Sequence, residues 1–140
     1  MSRPLKIEDL KVWQLACAFE DGVIDLLEGS PRAVRDGKFY VQLSDAAASV
    51  ASNVAEGFHR YNAAEFANFI RYSRSSLSEA ERRLHAGVRK HYWPQAAADP
   101  LLAISTNLGP ALDGFRRYLL SASARKKARE REASRRARSD

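Results

Sequence analysis

Apolar residues recur along this chain at steps of three and four, the spacing of one face of an α-helix. Leu43, Ala47, Val50 and Val54 step by 4, 3 and 4. Phe66, Ile70, Ser73, Leu77, Ala80, Leu84 and Val88 step by 4, 3, 4, 3, 4 and 4, close to a heptad seam. Val12, Ala16, Phe19, Val23 and Leu26 form a broad stripe near the start, and Ile104, Leu108, Leu112, Phe115 and Leu119 form another near the end. No stretch has the alternation of a strand, and no internal repeat is visible. Four helices are therefore expected.

Their boundaries follow from local chemistry. The first helix is expected from about Asp9, a suitable N-cap, to Leu27. Glu28-Gly29-Ser30-Pro31 breaks it, and Arg32 to Gly37 reads as a loop or a ragged helix start. The second helix runs on to about Gly57. Asn62 is expected to cap the third, which reaches about Arg89. Asp99-Pro100 is expected to open the fourth, a capping side chain followed by proline in the first turn. Pro110 lies inside the fourth seam and lacks a donor, which predicts a kink near Leu108 to Pro110 or two shorter helices. Short loops between helices of this length imply an all-α, antiparallel up-down-up-down four-helix bundle over residues 1–122. Residues 123–140 form a basic tail, disordered or a helical extension, with nothing larger than alanine to bury.

A second, polar line accompanies the seam of the second helix. Gln42, Ser49, Asn53 and Glu56 step by 7, 4 and 3, about 100° round from the apolar line. These groups either bond across helices inside the bundle, since buried polar atoms must find partners, or line a subunit interface or pore.

Composition narrows the function classes. The 140 residues are 45% hydrophobic and 29% charged, an ordinary soluble balance for one domain. No run approaches the ~18 apolar residues of a membrane span. Charges between Met1 and Lys11 stand where an export signal needs its apolar segment, so a cytoplasmic protein is expected. Cys17, the single cysteine, can form no internal disulfide.

The net charge of +6 is unevenly placed. Residues 125–140 hold eight basic residues against Glu130, Glu132 and Asp140, a net of +5. The other fifteen basic and fourteen acidic residues leave the body at +1. Arg125, Lys126, Lys127, Arg129 and Arg131 are candidate phosphate contacts, because clustered cations gain affinity for a polyanion by counterion release. The same composition also suits a merely solubilising end. On the third helix Arg71, Arg82 and Arg89 fall within about 20° of one line, with Arg74 about 60° away. They make either a phosphate track or a mixed-charge solvated face beside Glu79 and Glu81.

Catalysis finds little support. A di-iron bundle needs two Glu-x-x-His pairs and further carboxylates, whereas only Glu56 and His59 have that spacing, across Gly57 at a helix end. His85 and His91 lack the matching Glu. No nucleophile motif or glycine-rich phosphate loop is present. No enzyme activity, metal or cofactor is expected. Trp13, Phe66, Phe69 and Tyr72 read as core or interface, ahead of a base-stacking platform.

The stretch from Gln42 to Gly57, QLxxAAxSVxSNVAEG, resembles the signature of the four-helix bundle proteins encoded in 23S rRNA intervening sequences, also described as S23 ribosomal protein-like. Asp9 to Ala16 is similar to that family's D-L-x-V-W-x-x-A opening, Glu65 to Ile70 to its third-helix start, and Ser76 to Glu79 to its S-L-x-E. The likeness covers roughly residues 7–92. Ser44 and Asp45 stand where the family has two arginines, and Ala51 where it has proline. The resemblance implies homo-oligomers, as pentameric rings. It also implies kinship with accessory variability proteins of diversity-generating retroelements, which bind nucleic acid beside a reverse transcriptase. The expected function is non-catalytic, non-specific binding of RNA or DNA by a homo-oligomer. The alternative is a protein-interaction scaffold with no nucleic-acid role.

Overall fold

A short 3₁₀ turn at Ile7–Asp9 leads into five α-helices: α1 (Lys11–Glu28), α2 (Pro31–Arg35), α3 (Gly37–Phe58), α4 (Ala63–Arg89) and α5 (Gln95–Ser139). The computed structural model describes residues 5–60 and 62–140, and no strand occurs among them. The four long helices form an up-down-up-down bundle. α1 packs on α3 and α5, and α4 packs on the same two from the other side. Phe19, Leu27, Leu43, Ile70, Leu77, Leu84, Leu108 and Leu112 are fully buried in the shared core. Burying each such side chain contributes about 1.5–3 kcal/mol.

Two helix starts differ from expectation. Asp9 does not cap α1. Its Oδ2 accepts from the Lys6 amide at 3.0 Å within the 3₁₀ turn, and α1 starts from Leu10, which has no side-chain cap. Likewise α5 begins at Gln95 behind Pro94, ahead of Asp99 and Pro100, which lie within it. The reason is the buried Trp93. Its Nε1 donates to the Leu84 carbonyl at 3.1 Å, which turns the chain immediately, so Ala98, Leu101, Ser105 and Leu108 already face the core. Helix α5 then continues through Pro110 as one element, not two. It also crosses residues 122–123 without a break and carries the tail as helix to Ser139.

Elsewhere local chemistry sets the ends. The expected ragged segment is a separate helix: the Ser30 hydroxyl accepts from the Ala33 amide at 3.2 Å and Pro31 occupies the first turn. Asp36 starts α3 by accepting from Phe39, and Asn62 caps α4 by accepting from Ala64 at 2.8 Å. The α4 seam is buried from Phe66 to Leu84. At its end Gly87 is buried and Val88 only half so. A Cβ on Gly87 would lie 2.1 Å from the Trp93 ring, so this turn of α4 is fitted to the indole.

Candidate nucleic-acid interface

The polar line on α3 divides into two parts. Ser49 Oγ accepts from Asn53 Nδ2 at 2.9 Å and from Ser76 Oγ on α4 at 2.8 Å. One turn along, the buried Ser73 hydroxyl donates to the Val50 carbonyl at 2.7 Å. These bonds tie α3 to α4 within one chain and satisfy groups that would otherwise be buried unpaired. Glu56 does something else: exposed at the end of α3, it pairs with Arg60 at 2.6 Å. His59 is the exposed C-cap residue beside it. Gln42 is half-buried.

Residues 8–114 match the family model described as 23S rRNA-intervening sequence protein. The chain belongs to that family. Among solved structures it is similar to a protein of unknown function from the S23 ribosomal protein family of Bacteroides thetaiotaomicron. The two share 18% identity, with a TM-score of 0.67 over 75% of this chain and 97% of the other. That likeness concerns the fold. No curated protein matches the chain. The match to the 23S rRNA-intervening sequence family stops at 114, so the basic end of α5 lies outside what this member shares with the family model.

In this family member the four candidate arginines of α4 do not act alike. Arg74 is taken up by the fold: its Nε lies 3.4 Å from Asp113 Oδ2 on α5, and its Nη1 donates to Ser78 Oγ at 2.8 Å. Arg82 and Arg89 are exposed, line one shallow groove with Arg83, His85 and Ala86, and have no carboxylate partner among the described residues. Glu79 and Glu81, which interrupt this face in the sequence, are occupied. Glu79 pairs with Arg83 at 3.5 Å, and Glu81 accepts from the Ser105 hydroxyl. Arg71 lies over the Tyr72 ring, 4.9 Å from its centroid.

The tail gains an order that its sequence alone does not show. As helix, it pairs Glu130 with Lys126 at 4.0 Å and Glu132 with Arg136 at 2.7 Å. Arg125 donates to Ser121 Oγ at 3.0 Å, and Arg129 is exposed. Lys127, Arg131, Arg135 and Arg138 then fall within about 80° on another side of the helix, over about 16 Å of its length. They line a shallow surface with Glu130 and Ser134 and have no ion-pair partner among the described residues. Arg135 and Arg138 are absent from the sequence-derived set. Their steps of 4, 4 and 3 from Lys127 were there to read once the tail is taken as helix.

Other chemistry is sparse. Among the described residues no group of three or more His, Cys, Asp or Glu is placed to hold a metal ion. Burial, with Glu20 and Asp21 nearby, pushes the half-buried Cys17 thiol above its ordinary value, the opposite of an activated nucleophile. No helix among the described residues is long and apolar enough to cross a membrane.

Proposed function

We propose that this protein is a non-catalytic, cytoplasmic, homo-oligomeric bundle that binds RNA or DNA non-specifically through its helical arm. The stripe of Lys127, Arg131, Arg135 and Arg138, four cations around Glu130 on one side of the arm, is the observation that carries this reading. A polyanion meeting it displaces condensed counterions without reading sequence. Arg82 and Arg89 form a second, separate cationic groove toward the other end of α4. Exposed Val34 and Val41, which share an apolar surface with Tyr40, supply an area that a second copy would cover. A pentamer and a reverse-transcriptase partner are the finer forms of this reading. A scaffold for another polypeptide would use that same apolar surface and leave the arm idle.

Nucleic-acid affinity measured across a salt series tests the proposal. Replacing Lys127, Arg131, Arg135 and Arg138 by alanine keeps a helix former at each position and removes four phosphate contacts. The slope of log K against log salt should flatten by about three. An unchanged slope, or no binding at low salt, overturns it. Light scattering on the same samples reports the oligomer.

A further inference from the structure

We infer that Tyr72 gives this protein a preference for single-stranded nucleic acid, an unpaired base stacking on its ring while Arg71 holds the adjoining phosphate. The inference rests on the nucleic-acid reading above and names which form is bound. Tyr72 is 45% exposed on α4, although an aromatic residue there is expected in the core or an interface. Phe69, half-buried beneath it, meets the Tyr72 ring in a T-shaped contact at 5.9 Å and 88°. That contact restrains the ring before any ligand arrives, which lowers the entropy lost on stacking.

Cations flank the pair on both sides. The Arg71 guanidinium is 4.9 Å from the Tyr72 centroid, and that of Arg60 is 5.0 Å from the Phe69 centroid. Glu56 uses part of the Arg60 fork, whereas Arg71 has no carboxylate partner among the described residues. Alternating cation and ring is what a single strand requires, since its charge and its base faces are presented side by side. A duplex keeps its base faces stacked inside and offers this ring nothing. A base would stack beside the guanidinium or take its place, with Arg71 swinging to the neighbouring phosphate. The site is separate from the arm: Ala63, at the start of α4, shares a surface with Ala122, Lys126 and Lys127, and Tyr72 lies on the opposite side of α4 from it. Tyr72 is nine residues farther on, about 14 Å.

Fluorescence anisotropy of the full chain with a labelled oligo-deoxythymidine, and with a duplex of equal length, separates the outcomes. Tyr72→Ala should weaken oligo-deoxythymidine binding by about 5- to 150-fold, the span of one lost stacking contact, and change duplex binding by less than about twofold. Tyr72→Phe, which keeps the ring, should bind like the parent. Binding of both nucleic acids by the parent with equal or no loss in Tyr72→Ala overturns this inference and leaves the arm reading intact. So does a change in oligomer mass in that variant, which would make Tyr72 part of a subunit contact. Binding of neither nucleic acid by the parent removes both.

Discussion

The Tyr92 hydroxyl donates to Asp36 Oδ2 at 2.5 Å, joining the turn between α4 and α5 to the residue that starts α3. Asp36 Oδ1 meanwhile accepts from the Phe39 amide at 3.2 Å, and Lys90 lies 3.8 Å from Oδ2. The Tyr92 bond, then the Phe39 bond, hold the Asp36 carboxyl below its usual range, with Lys90 and Lys38 assisting against partial burial. The same bond holds the Tyr92 phenol above its usual value. A lowered carboxyl adds stability that is complete above its unfolded value and fades as pH falls through the folded one. A raised phenol adds stability that is complete below about 10 and is lost as pH rises through its folded value. Tyr92→Phe should therefore lower Tm at neutral pH and make both the acid and alkaline losses of Tm shallower. Melting curves by circular dichroism across pH check this; two parallel Tm profiles would exclude the coupling.

Gly87 and Gly37 should respond in opposite ways to alanine. Trp93 carbons lie 2.1, 2.4 and 2.9 Å from where a Gly87 Cβ would be. The indole is held by its bond to Leu84, so Gly87→Ala should destabilise the protein by about 1–3 kcal/mol through overpacking. A Cβ on Gly37 meets nothing within 4 Å in the first turn of α3. Gly37→Ala should stabilise by about 0.4–1 kcal/mol by restricting the unfolded chain. Urea denaturation of the two variants measures both.

His91 has φ 60°, the left-handed conformation, as α4 ends. Its amide donates to Val88 and that of Tyr92 to Gly87, closing the turn as glycine-terminated helices do. A side chain there costs about 1–2 kcal/mol, partly offset by the greater freedom glycine has when unfolded. His91→Gly should raise stability by about 0.5–1 kcal/mol. The Arg32 contact, which is to the His91 carbonyl, should persist. Denaturation curves of parent and variant at equal slope give the difference directly.

The serine contacts between α3 and α4 predict stability effects without assembly effects. Ser73→Ala removes the second donor to the Val50 carbonyl, which keeps its bond within α3, and should cost about 0.5–1.5 kcal/mol. Asn53→Leu should shift Tm while light scattering reports an unchanged mass, because Asn53 bonds Ser49 of its own chain. An assembly that separated while its subunits stayed folded would assign Asn53 to a subunit interface.

Much of this architecture is legible in the sequence, most clearly on α4, where Phe66, Ile70, Ser73, Leu77, Ala80 and Leu84 are all buried as their spacing predicts. Asn62, the expected cap, bonds the first turn. Where the reading failed, a capping preference of about 1 kcal/mol competed with the burial of an aromatic ring. Asp99 was the better cap on paper, yet Trp93 docks six residues earlier and Ala98 already belongs to the seam. Small residues hide such seams, since their apolar signal is weak. For the candidate site, the sequence located the basic residues but could not sort them. Arg74 looks as available as Arg82 until Asp113 arrives from another helix. The four-residue stripe of the arm needs helical geometry that no buried side chain announces.

Leu119 is the last buried residue of α5, and beyond the half-buried Ala122 and Ser123 every side chain is exposed. The arm can therefore gain or lose charge from one generation to the next without passing through an unfolded ancestor. Related chains sharing this bundle are free to diverge most at the end where the family match has already stopped.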